Sequence, residues 1–125
     1  MAPRKADESG VATVYAATIA VLLAAACVVV LQVAAVARLQ HHVSSAADLT
    51  AIAASQAAVS GADACGAARR IASANRTVLR ECELRAAAAT VVVERTARLW
   101  GRELSVRRTA RAAPSDYVPA REGRR

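Results

Sequence analysis

Cys65 and Cys82, the adjacent pair His41-His42, and the aspartates Asp48 and Asp63 are the residues of this chain with most to offer chemically. The cysteines can form a disulfide, the histidines are metal-ligand types, and the carboxylates are potential acids or bases. Neighbouring residues on a helix point about 100° apart, so His41 and His42 cannot chelate one ion from a single face. They read instead as polar residues at the edge of an apolar segment. Asp48 and Asp63 stand alone and read as solvated or capping groups. No Gly-rich phosphate loop occurs, no Ser or Cys stands beside a His in a foldable segment, and no carboxylate pair is within reach of a pocket. The expectation is a protein that is not an enzyme, with no catalytic residue, metal site, cofactor or small-molecule substrate.

The cysteines test the secondary structure that must place them. On one continuous helix Cys65 and Cys82 would lie roughly 25 Å apart, beyond any disulfide. A break at Asn75 changes this. Gly66–Ala74 reads as a short helix and Thr77–Leu84 as a strand with Val78, Cys82 and Leu84 on one face. A helix of roughly 14 Å followed by a strand returning roughly 18 Å brings the sulfurs together. Pairing and the helix–strand reading therefore stand or fall together, against the alternative of two reduced, buried thiols. Cys27, inside an apolar run, reads as a small buried residue.

Further along, Thr90–Glu94 holds three consecutive valines and reads as a strand. Leu104, Val106 and Ala110 alternate with Glu103, Ser105, Arg107 and Thr109, a strand with one wet face. Arg108 falls on its apolar side and reads as the sign of an edge strand or of a frayed end. Gly101 marks the turn between these two strands, and Ala86–Ala89 joins the first two, the alternative for such an alanine run being an extension as helix. The expected fold is α+β: a long N-terminal helix, half transmembrane and half amphipathic, then a short helix and a small three-stranded antiparallel sheet. Residues 61–113 form that small domain, and 114–125, with Pro114, Pro119 and an Arg-rich end, form a disordered tail.

The long helix is written in the first half of the chain. Val11–Ala37 carries no charged residue and follows a short leader, residues 1–10, that holds Arg4 and Lys5. As a helix the run is roughly 40 Å long against roughly 30 Å of bilayer hydrocarbon, so it can span with some tilt. From 38 to 60 the helical style continues without Pro or Gly, and Leu39, Val43, Ala46, Leu49, Ile52 and Ala53 recur as an apolar stripe. Leu39, Val43, Leu49 and Ile52 are the expected packing residues toward partner helices. Sixteen of the seventeen basic residues are Arg, the net charge is +7 and aromatics are 2% of the chain. Scattered arginines with Tyr15, Tyr117 and Trp100 as the sole aromatic residues give no nucleic-acid surface.

Three readings compete for the N-terminus. An uncleaved signal anchor would keep the leader in the cytoplasm, following Arg4 and Lys5, and place the rest outside. A secretory signal would be cut after Ala35-Val36-Ala37 and release a soluble, basic binding protein, although the apolar run is about twice an ordinary signal core of 7–15 residues. A prepilin-type leader would be cut on the cytoplasmic side between Gly10 and Val11. In structural terms alone, Ser9 reads as a helix N-cap with Asp7 and Glu8 near the dipole.

Glu8-Ser9-Gly10-Val11-Ala12-Thr13-Val14-Tyr15-Ala16, the long apolar helix, and then Ser45-Ala46-Ala47-Asp48-Leu49-Thr50-Ala51-Ile52-Ala53-Ala54 together resemble the N-terminal region of TadE/TadG-like proteins of the Flp, or tight-adherence, pilus machinery. The short TadE-like proteins of actinobacteria are the most similar subset, and Cys65, Asn75, Leu79, Cys82 and the Val-rich strand also look similar to them. The resemblance implies a reduced pilin-like fold and a single-pass plasma-membrane protein, its N-terminus cytoplasmic and its C-terminal domain extracytoplasmic. It implies a part in assembling a Flp-type pilus or related secretion system, with other subunits and a prepilin peptidase as partners. The fifth position after the Gly10–Val11 bond, where pilin-like leaders carry Glu, is Tyr15. That departure fits a minor pseudopilin or assembly factor better than a major filament subunit.

Overall fold

The computed structural model describes the backbone of residues 6–118 and the side chains of residues 10–118. The elements are α1 (Ala6–Val59), α2 (Ala64–Ala74), β1 (Val78–Arg85), β2 (Ala88–Leu99) and β3 (Arg102–Ala112). The α+β architecture expected from the sequence is therefore the one observed. The chain divides into two compact units at the Arg38–Leu39 bond.

The first unit is helical. Alanine and straight-chain residues propagate a helix at little cost, and no proline interrupts it. The helix begins at Ala6, so Ser9 lies inside it instead of capping it. Its large apolar side chains, among them Val14, Ile19, Leu22, Leu23 and Leu31, are exposed. The Thr13 and Thr18 hydroxyls donate to the Gly10 and Val14 carbonyls within the helix. Such back-bonding satisfies a hydroxyl where water is absent.

The second unit begins with the last third of α1. That helix ends at Gly61, whose φ of +72° suits a residue without Cβ. The Ala62 N–H donates to Ala57 O at 2.8 Å and the Gly61 N–H to Ala58 O at 3.2 Å, the paired bonds of a Schellman cap. Asp63 then caps α2, accepting from the Gly66 N–H at 2.9 Å. A Cβ on residue 66 would stand 2.2 Å from Asp63 Oδ2, so the capping carboxylate would have to turn aside. A second Schellman pair closes α2: Thr77 N–H to Ala72 O and Arg76 N–H to Ser73 O, both 2.9 Å. Here the left-handed residue is Arg76, with φ of +56°.

The strands form an antiparallel meander in the order β1-β2-β3. Val91, Val93, Ala89, Val106 and Ala110 on one face meet Leu39, Val43, Ala47, Ala51 and Ala54 of α1 and Ala64, Ala68 and Ala72 of α2. The core is shallow, its largest fully buried side chains being Val43, Val91, Val93 and Thr50. Thr50 discharges its hydroxyl onto Ala46 O, and Ser55 donates to Ala87 O at 2.8 Å, joining α1 to the β1–β2 turn.

Two details depart from the sequence reading. A bulge between Leu79 and Glu81 shifts the register of β1, so Leu79, opposite Val93, shares the core face with Cys82, and Val78 lies exposed opposite Glu94. β2 also runs past Glu94 to Leu99, because β3 pairs with it out to Leu99–Arg102. Pro114–Val118 follow β3, with the Tyr117 N–H on Pro114 O and the Arg111 guanidinium 5.7 Å from the Tyr117 ring centre. The rest of the expected tail, 119–125, and leader residues 1–5 lie outside the described residues.

Candidate functional site

Three features of the two units bear on function. The first is the apolar part of α1, which is long and apolar enough to cross a membrane. At Gly10, inside this helix, a Cβ would meet nothing within 4 Å. Glycine in a helix interior costs about 0.5–1 kcal/mol relative to alanine, and neither packing nor backbone conformation requires it here. Val11, the next residue, is exposed.

The second is the outward face of α1 in the second unit. The four expected packing residues divide. Leu39 and Val43 are buried in the unit's own core, whereas Leu49 is 51% and Ile52 is 45% exposed. The buried stripe runs through Leu39, Val43, Ala46, Ala47, Thr50, Ala51, Ala54 and Ser55. Small residues let the helix approach the sheet closely, and the bulkier Leu49 and Ile52 are turned off that stripe. Ile52 and Val59 then line an open, largely apolar groove of about 380 Å³ with Ser55, Gln56, Ala112 and Pro114.

The third is the disulfide. Cys65 and Cys82 are bonded with their Cα atoms 5.9 Å apart, one at the start of α2 and one on β1, in the helix-then-returning-strand arrangement that pairing demands. Cys27 is a free, exposed thiol in the first unit.

The other chemistry-bearing residues take local structural places. His42 Nε2 donates to Asn75 O at 2.8 Å, tying α1 to the end of α2. Asp63 is the α2 cap. One cluster escaped the sequence reading. On the outer sheet face Glu94, its side chain 13% exposed, pairs with Arg80 Nε and Arg107 Nη2 at 2.9 Å each, and accepts from Ser105 at 2.6 Å. The Ser105 hydrogen bond first, then Arg107 and Arg80, lower its pKa from 4.5 to about 2. The Arg107 contact follows from register, Glu94 standing opposite Arg107 in the β2–β3 ladder. Arg80 reaches Glu94 from the bulge, which alternation alone does not announce. The groups point at one another and fasten all three strands. No protein-family model, curated protein or solved structure matches this chain.

Proposed function

We propose that the chain is a single-pass membrane protein of pseudopilin type, serving assembly of a Flp-like pilus or a related secretion apparatus. The apolar run of α1 is the anchor, residues 1–10 lie in the cytoplasm, and the disulfide-linked unit works outside. The carrying observation is one α-helix, Ala6–Val59, whose apolar run is exposed from Val11 to Leu31 and whose last turns pack on a small disulfide-bonded sheet. Uncovered valines and leucines of this extent call for lipid or partner helices. A disulfide belongs to an oxidising compartment, which supports the outward placement of Cys65 and Cys82.

Leu49 and Ile52, exposed beside the apolar groove, are the contacts to other subunits. Gly10, unneeded by the fold, marks prepilin-type processing before Val11. Tyr15 in place of an acidic residue removes the carboxylate that would pair with a neighbour's new amino terminus, so the role is minor or initiating rather than that of a bulk filament subunit.

N-terminal sequencing of the protein from the carbonate-washed membrane fraction of its host tests this. A start at Val11 in the washed membranes supports the pseudopilin reading. A start at Met1 there leaves an anchored assembly factor and removes the processing step. A start at Arg38 in the soluble fraction overturns the membrane reading in favour of a secreted basic protein.

A further inference from the structure

The β2–β3 turn breaks a local rule. A two-residue hairpin loop with positive φ at both positions calls for Asn-Gly or Asp-Gly. This one is Trp100-Gly101, with φ of +50° and +72°. A bulky side chain in that region is an outlier. The folded domain recovers little for it, since Trp100 is 59% exposed. Strain kept without a packing return directs attention to a role outside the domain.

The position of the turn within its unit indicates that role. Ser55 bonds the β1–β2 turn and His42 bonds the residues just before β1. Moving back along α1 from Ser55 to His42 therefore parallels moving along β1 from its end to its start. β2 passes the start of β1 at Glu94, opposite Val78. It then continues to Leu99, roughly 17 Å further in the same direction. In the same unit α1 continues from His42 only to Leu39, roughly 5 Å. Leu39 is joined through Arg38 to Ala37, the last residue of the uncharged run. The hairpin tip thus lies at the end of this unit at which Leu39 enters it.

The chemistry of the tip matches that place. Arg98 and Arg102 flank the turn and are exposed, and Glu103 opposite Arg98 is the acid of the segment 98–103. Indole rings favour the headgroup level of a bilayer, with an apolar body and one N–H donor. Guanidinium groups bind phosphate oxygens in a fork, and anionic headgroups attract basic residues near the surface. We propose that Trp100–Gly101, with Arg98 and Arg102, is a lipid-contacting tip that inserts at the headgroup layer and seats the outer domain on anionic phospholipid. The inference depends on the single-pass reading above.

Trp100 is the one tryptophan of the chain, so its emission reports on the tip directly. The full chain is reconstituted in phosphatidylglycerol–phosphatidylcholine vesicles, and flotation first confirms that it is membrane-bound. The expected result is blue-shifted emission, several-fold weaker acrylamide quenching than free tryptophan, and strong quenching by lipids labelled near the headgroup. Arg98→Gln/Arg102→Gln, with its circular dichroism unchanged, should lose most of that shielding. Acrylamide quenching equal to free tryptophan overturns the proposal while leaving the span intact. Shielding from acrylamide without quenching by lipid labels also overturns it, pointing to a second copy of the chain covering the tip. Unchanged shielding in the double variant removes the arginines from the contact and overturns the electrostatic half. Failure to float overturns the single-pass reading itself and this inference with it.

Discussion

Single side chains in this protein carry local costs that can be relieved or exposed one at a time. Arg76 closes α2 in a left-handed conformation that disfavours any residue with a Cβ. Arg76→Gly should therefore raise stability by about 1 kcal/mol, the penalty removed at such a cap, as read from urea denaturation in detergent. Gly66→Ala should fall short of the gain of about 0.5–1 kcal/mol that replacing a helix glycine ordinarily brings, because its Cβ turns the capping carboxylate of Asp63 aside. Glu94 gives a pH signature. Its folded pKa of about 2 lies below the ordinary 4.5, so an unfolded chain binds the extra proton first as pH falls. The contribution is whole above about pH 4.5 and disappears as pH drops through about 2. Denaturation midpoints measured across that window should fall with pH in the wild type and lose this part of the slope in Glu94→Gln. A slope unchanged by the substitution would show that the three-strand clasp contributes nothing measurable.

Elements explain both what the sequence reveals and what it hides. Three consecutive valines, the Gly101 turn and the return path required by Cys65–Cys82 make the sheet and short helix legible, because each is a local or covalent constraint. The Arg80 bulge is not legible: alternation places Val78 with Cys82, and only pairing with β2 puts Leu79 there. The buried face of α1 is hidden for another reason. Hydrophobicity alone favours Leu49 and Ile52, but close packing on a sheet selects Ala47, Ala51 and Ala54. This division yields an element-scale prediction. Leu49→Ala/Ile52→Ala should leave the thermal midpoint near the wild-type value while lowering crosslinking to partner subunits. Val43→Ala, in contrast, should cost about 1–3 kcal/mol by opening a cavity in the shallow core. If the double variant crosslinks as well as the wild type, the exposed helix face is not a docking surface.

Across the whole molecule, stability is unevenly founded. A core of alanines and valines buries little area per residue, and the disulfide contributes roughly 3 kcal/mol by shortening the excursions of the unfolded chain. That is a large share of the 5–15 kcal/mol typical of small domains. Cys65→Ser/Cys82→Ser should accordingly lower the midpoint sharply and make the region around β1 the first to be cleaved by protease. A double variant as stable as the wild type would assign the stability to packing alone. The bond also has a consequence in time. In a reducing cytoplasm Cys65 and Cys82 stay apart, and the second unit lacks its strongest single constraint during synthesis. A chain in that condition is easier to thread through a translocation pore than a finished sheet. On the proposed topology, oxidation on the far side then closes the fold behind it, so the same covalent link that holds the domain together would also make its passage one-way.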